Sequence, residues 1–233
     1  MESNQVIVLK EFLLPIYVDI SVRKSVLDCF EREARILTSL KHNQIVKLLD
    51  FFVEDHRAYL VLEHIEGITL SKLVVERGPL PEEFVRELAK QMCTILSYLH
   101  NMTPPVVHRD FTPENLILGS DGLLKLIDFN VARQVESNAT GSVVGKPAYL
   151  PPEQFRGQTV CQSDIYSMGA TLSYILTGKQ PEPISVSHPR AELNSISEQM
   201  DRIVARATAI TLKDRYSDCD QILRDLLNRQ AEV

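Results

Sequence analysis

Glycine is sparse in this 233-residue chain: there are nine, and none precedes Gly67. Any glycine-rich phosphate-cradling loop is therefore excluded from the first 66 positions. Cysteine is equally thin. Cys29, Cys93, Cys161 and Cys219 are far apart and form neither a CxxC pair nor a metal-ligand spacing, which points to free thiols in a reducing, cytoplasmic compartment. The net charge of -6 leaves no global basic field for nucleic acid, and no run of lysine and arginine suggests membrane contact. No apolar run reaches membrane-spanning length, since Ile165 to Leu176 is interrupted by Ser167, Gly169, Thr171 and Ser173. That stretch reads as a buried helix. Signal peptide, internal repeat and low-complexity tract are all missing from the pattern.

What remains is globular, with 44% hydrophobic and 24% charged residues, enough to bury a substantial core as one domain or two small lobes. Val6 to Phe12 is a β-branched run suited to a strand, closed by Pro15. From Ser21 to Leu40 the period changes, and Val22, Val26, Phe30, Leu37 and Leu40 share one helical face. Glu33 lies on that face, where a carboxylate needs a cation or cleft solvent unless it sits at the edge of the stripe. Ile45 to Val53 and Ala58 to Glu63 read as a hairpin around Glu54-Asp55-His56-Arg57, and Gly67 ends the strand region. Helices are expected over Pro81 to His100, with Phe84, Leu88, Met92, Ile95 and Leu99 on one face, and over Asp164 to Thr177, Ser197 to Ala209 and Ser217 to Arg229. The outcome is α+β: a small sheet with one helix over residues 1-66, then a mainly helical part over 67-233.

The most specific feature is His108-Arg109-Asp110-Phe111-Thr112-Pro113-Glu114-Asn115, with Asp128-Phe129-Asn130 beginning thirteen positions after Asn115. Ahead of it stands Val6-Ile7-Val8-Leu9-Lys10, and behind it Pro151-Pro152-Glu153. In this order they resemble the H-R-D-x-x-x-x-N, D-F-G, V-A-I-K and A-P-E motifs of protein kinases, over essentially the whole chain. The details, including Gly145-Lys146-Pro147 and Gln154, resemble a branch of bacterial eukaryotic-like serine/threonine kinases. The resemblance implies a protein-kinase-like bilobal fold and transfer of a phosphoryl group from ATP with Mg²⁺ to a serine or threonine hydroxyl of a protein.

Such transfer needs cations near the phosphates, hard oxygen donors on the metal and a carboxylate near the attacking hydroxyl. By resemblance Lys10 holds the phosphates and is oriented by Glu33, Asp110 is the catalytic base, and Asn115 and Asp128 are the Mg²⁺ ligands. Glu63 to Ile65 is the adenine hinge behind which Leu62 guards a pocket, with Val8 and Ile117 sandwiching the ring; either platform residue is equally well explained as core. Asp164 resembles the aspartate that braces the catalytic loop, although helix capping accounts for it too. Glu153 and Arg215 resemble a structural ion pair.

The chain also departs from the family. Only Met1 to Gln5 precede Val6, so the Gly-rich loop and two strands are missing, either because this is a piece of a longer product or because it is a natural short form. Weak ATP binding, little phosphotransfer and self-association through the exposed sheet edge are the expectations for the chain alone. Asn130 replaces the D-F-G glycine, a mild change since asparagine tolerates positive φ. Thr112 stands where the family carries lysine and Lys146 where it carries threonine, which reads as an exchange preserving one ammonium and one hydroxyl beside Asp110. Arg109 and Arg133 suggest an anion between them, with Ser137, Thr140 and Ser142 as candidate phosphate carriers. Two competing functions stay open: a pseudokinase or interaction module, and a small-molecule phosphotransferase of the same fold.

Overall fold

A computed structural model describes residues 6–14, 19–129 and 146–228. The chain divides into two compact units, Met1–Glu66 with Lys125–Val144, and Gly67–Leu124 with Gly145–Val233. Asn130, Arg133, Ser137, Thr140, Ser142 and Gly145 fall outside the described residues.

In the first unit, β1 (Ile7–Leu13), β2 (Leu48–Glu54) and β3 (Arg57–Glu63) form an antiparallel sheet in the order β1-β3-β2. Lys10 stands opposite Leu60, and Val8 opposite Leu62. The β2–β3 turn is tighter than the four-residue turn expected: Glu54 pairs with Arg57, and Asp55 and His56 turn the chain at φ 44° and 60°. Positive φ at both central positions matches the right-handed strand twist. β2 also starts later than the apolar run implies. Ile45 and Val46 leave the sheet to bond with Leu126, Val46 N–H donating to the Leu126 carbonyl at 2.9 Å and Leu126 N–H to that of Gln44 at 2.8 Å.

Helix α1 (Ile20–Ser39) packs Phe30, Ala34 and Leu37 against this sheet. The Phe30 ring meets the edges of Phe12 and Phe51, at 5.5 and 6.3 Å between centroids. Val22, expected on the same stripe, is exposed.

The second unit holds α2 (Leu70–Arg77), α3 (Glu82–His100), α4 (Pro152–Phe155), α5 (Cys161–Thr177), α6 (Pro189–Glu192), α7 (Glu198–Ala207) and α8 (Cys219–Leu227). Its centre is α5, buried along nearly its whole length, its small polar residues included, as expected for a buried helix. Gly169 lets α7 approach: a Cβ there would stand 2.7 Å from Ala207 Cβ. On α3 the buried face runs through Val85, Leu88, Met92, Ile95 and Leu99, whereas Phe84 is exposed. Helices α3 and α5 therefore form the core to which the loops are tied.

Gly67 does not end the strand region. It opens β4 (Gly67–Thr69), antiparallel to β5 (Leu116–Gly119), so close to the Leu118 carbonyl that a Cβ would collide with it. Thr69 then caps α2 by accepting the Lys72 N–H at 3.2 Å. The short strand β6 (Leu124–Leu126) spans the passage of the chain from the second unit back into the first.

Candidate active site

In the first unit the sheet aims Lys10 at α1, where Glu33 follows Phe30 by one turn on the same face. Glu33 is fully buried, and Lys10 Nζ donates to its Oε1 at 3.0 Å. The same ammonium pairs with Asp128 Oδ1, and it lies 4.8 Å above the Phe12 ring. One cation therefore serves two carboxylates, and the buried Glu33 has the partner its position demands. Asp128 sits at φ 63°, in the left-handed region that aspartate tolerates better than most residues.

The hinge residues fall at the end of β3. Leu62 is buried, and the Glu63 side chain is committed locally, accepting from Lys47 N–H at 3.0 Å and Lys125 Nζ at 3.4 Å. Glu63 N–H donates to the Lys47 carbonyl, while Ile65 lies beyond the strand. Val8 is partly exposed on β1, and Ile117 is half-buried on β5 in the second unit.

In the second unit Asn115 folds the catalytic loop onto itself. Its Nδ2 donates to the Asp110 carbonyl and to Asp110 Oδ2, both at 2.9 Å. Thr112 N–H adds a bond to the Asp110 carbonyl at 2.9 Å, and the Thr112 side chain is buried. Asp164, fully buried near the start of α5, accepts His108 N–H at 2.8 Å through Oδ2 and Arg109 N–H at 2.7 Å through Oδ1. Both Asp164 oxygens are turned to the loop, which supports the bracing reading, and its place in the first turn of α5 also suits the helix dipole. Arg109 adopts φ 71°, and Gln154 Nε2 donates to its carbonyl at 2.9 Å. Below the loop, Arg215 grips Glu153 at 2.6 and 3.3 Å, while Ser163 Oγ donates to the same carboxylate at 2.8 Å.

Lys146 forms its ion pair with Glu114, whose carboxylate also accepts from Ser71 Oγ at 3.1 Å. Burial pushes the Glu114 carboxyl up, but the bonds from Lys146 and Ser71 outweigh it and hold the group below the usual range. Glu114 and Gln154 were not singled out by sequence reasoning as contact residues. Both stand inside recognised motifs, so the signal was their position and not their type.

Each unit by itself presents a hard oxygen donor of the kind Mg²⁺ takes. Asp128 offers a carboxylate, and both described Asn115 side-chain bonds use its nitrogen, which directs the amide oxygen elsewhere. Hard oxygen donors few in number suit Mg²⁺, which keeps several waters. Among the described residues no group of three or more His, Cys, Asp or Glu is placed to hold a metal alone, and no helix is long and apolar enough to cross a membrane.

Comparison with known proteins agrees with this arrangement. The protein kinase domain profile matches residues 2–232. The serine/threonine-protein kinase PknA of Nostoc sp. is 34% identical over 97% of this chain and 43% of its own length. PknL of Mycobacterium tuberculosis is 35% identical over 84% of this chain and 53% of its own. The chain thus spans about half or less of these curated relatives. The crystal structure of Rad53 1-466 in complex with AMP-PNP superposes with a TM-score of 0.75 and 25% identity, covering 94% of this chain and 57% of that one. With its lysine–glutamate pair, its braced catalytic loop and a profile match from end to end, the chain belongs to the protein kinase domain family, among the bacterial eukaryotic-like serine/threonine kinases.

Proposed function

We propose that this domain transfers the γ-phosphate of ATP to serine or threonine hydroxyls of a protein substrate. The observation that carries the proposal is the Lys10 ammonium held between buried Glu33 and Asp128. A purely structural helix has no need of a buried carboxylate whose partner reaches a second acid, whereas a phosphate site needs a positioned cation. Lys10 would bind the α- and β-phosphates, with Asp128 and Asn115 holding Mg²⁺, which neutralises charge on the phosphates when bound. Asp110, its carboxylate oriented by Asn115, would accept the substrate hydroxyl's proton.

The adenine would lie against the backbone of Glu63 to Ile65, with Val8 and Ile117 on its faces and Leu62 behind. AMP-PNP in the Rad53 structure supports a nucleotide of this kind. In the loop, Lys146 takes the ammonium role beside Asp110 and Thr112 the hydroxyl role. We place the domain in the cytoplasm on its cysteine pattern. Self-association through β1 belongs to the same proposal: among the described residues β1 pairs on one side only, with Ile7, Leu9 and Leu13 exposed.

The test is transfer of radiolabelled phosphate from ATP with Mg²⁺ to a generic basic protein, with choline and an aminoglycoside offered in parallel. Labelled phosphoserine or phosphothreonine, abolished by Asp110→Asn, is the expected result. Label on the small molecules alone would overturn it, and label on nothing would favour an interaction module.

A further inference from the structure

Asp164 is a fully buried carboxylate, and two of its partners are neutral backbone N–H groups. An ionised carboxylate so placed is costly unless a cation completes its shell. The remaining described partner is His100, whose Nε2 lies 2.9 Å from Asp164 Oδ2. His100 is the last residue of α3, where the helix dipole favours a positive charge, and its side chain is nearly buried.

The other groups around this pair are sulfur. The Cys219 thiol, at the first turn of α8, neighbours His100 and Cys93 of α3 and interacts with both. Cys93 and burial hold Cys219 well above the usual thiol range, against the pull of His100. Cys161, at the start of α5, is raised by burial and by the charge of Asp164. Neither thiol competes with Asp164 as the anion, and among these groups His100 alone can carry the positive charge.

We propose that His100 is the buried cation of the catalytic loop, a positioning residue that fixes Asp164, and through it the backbone at His108 and Arg109, only while it is protonated. Burial pulls the His100 pKa down, but the bond to Asp164 and the interaction with Cys219 outweigh it and raise it from 6.5 to about 9. The loop is therefore braced through neutral pH and relaxes as pH rises through about 9. Only the kinetic consequence rests on the phosphotransfer reading.

The experiment uses the whole chain, labelled with ¹³C in its histidines and ¹⁵N in its backbone, the His100 signal being assigned by its loss in His100→Gln. The His100 Cε1 shift is expected to titrate near pH 9, and the backbone ¹⁵N shifts of His108 and Arg109 to move with the same midpoint. Cys219→Ala should lower that midpoint, and this variant carries the test should His100→Gln fail to fold. In the kinetic arm, His100→Gln lowers kcat about tenfold near neutrality, leaves KM for ATP within about twofold, and lacks the alkaline limb of the wild type. A His100 midpoint at 6.5 or below, or His108 and Arg109 shifts that ignore it, would overturn the proposal. A wild-type chain without phosphotransfer, but with coupled shifts, would instead remove the phosphotransfer reading and leave the positioning role standing.

Discussion

Asp164 Oδ1 accepts the N–H of Arg109 at 2.7 Å, and Arg109 holds φ at 71°. A non-glycine residue in this region carries strain of about 1–3 kcal/mol and persists only where its surroundings hold it. Here a buried carboxylate holds the amide, while Gln154 holds the carbonyl of the same residue. Asp110, the proposed base, follows directly, so its direction is set by a backbone pinned on both sides.

Asp164→Asn keeps the volume but replaces one acceptor oxygen by an NH₂ group, leaving a backbone N–H of His108 or Arg109 facing a donor. The expected result is a fall in kcat of roughly 10²-fold, since small misplacements of a reacting group cost on that order. KM for ATP should change little, because Lys10 and the hinge lie in the other unit. Steady-state kinetics with a peptide substrate checks this, and an unchanged kcat would show that the brace is dispensable.

Lys10→Met removes the described cation partner of the buried Glu33 carboxylate, a loss of roughly 3 kcal/mol for a buried pair with one member removed. Adding Glu33→Leu should restore much of the stability but none of the activity. Thermal unfolding of both single variants and the double gives the coupling; additive losses would mean that the pair does not interact energetically.

For the Lys146 and Thr112 exchange, Lys146→Thr should lower activity and Thr112→Lys, added to it, should restore part. If the double variant simply multiplies the two losses, the positions do not share a role. An independent readout comes from Glu114, whose carboxyl lies below the usual range with Lys146 present. Its stabilising contribution is present above the unfolded value and is lost as pH falls through the lower, folded one. Lys146→Thr should raise the Glu114 pKa, measurable by ¹³C carboxyl shifts, and shift the onset of acid destabilisation to higher pH.

Arg215→Lys tests the ion pair beneath the loop. The guanidinium bonds both Glu153 oxygens and also the carbonyls of Ala209 and Gln162. An ammonium cannot reproduce that fork. A loss of roughly 3–5 kcal/mol is expected in chemical denaturation, as for other broken buried pairs, and a loss within error would count the pair as ornamental.

The ordered motifs made the family and most of the site legible. Helical spacing put Glu33 on the face of Phe30 and Leu37, and the resemblance of the strand before it supplied Lys10 as the partner. Contacts between residues far apart were harder to see. His100 reaches Asp164 across 64 positions and Gln154 reaches Arg109 across 45, and neither carries a local periodicity that announces the partner. The strand β4 was missed because three residues beginning with glycine carry no strand pattern; its pairing with β5 is a tertiary fact. Phe84 and Val22 were misplaced for the opposite reason. A helix that extends past its support keeps its periodicity after the partner surface has ended.

The return of the chain into the first unit at Lys125–Asp128 also bears on synthesis. Lys10 precedes Asp128 by 118 residues, so on a ribosome adding about 5–20 residues per second the lysine waits roughly 6–24 s for its second acid. During that interval Glu33 is the only member of the trio available to it, and Ile45 and Val46 have not yet met Leu126. The first unit is thus early in sequence but late in completion, and a nascent chain released before Leu126 would carry an unfinished sheet that chaperones must shield.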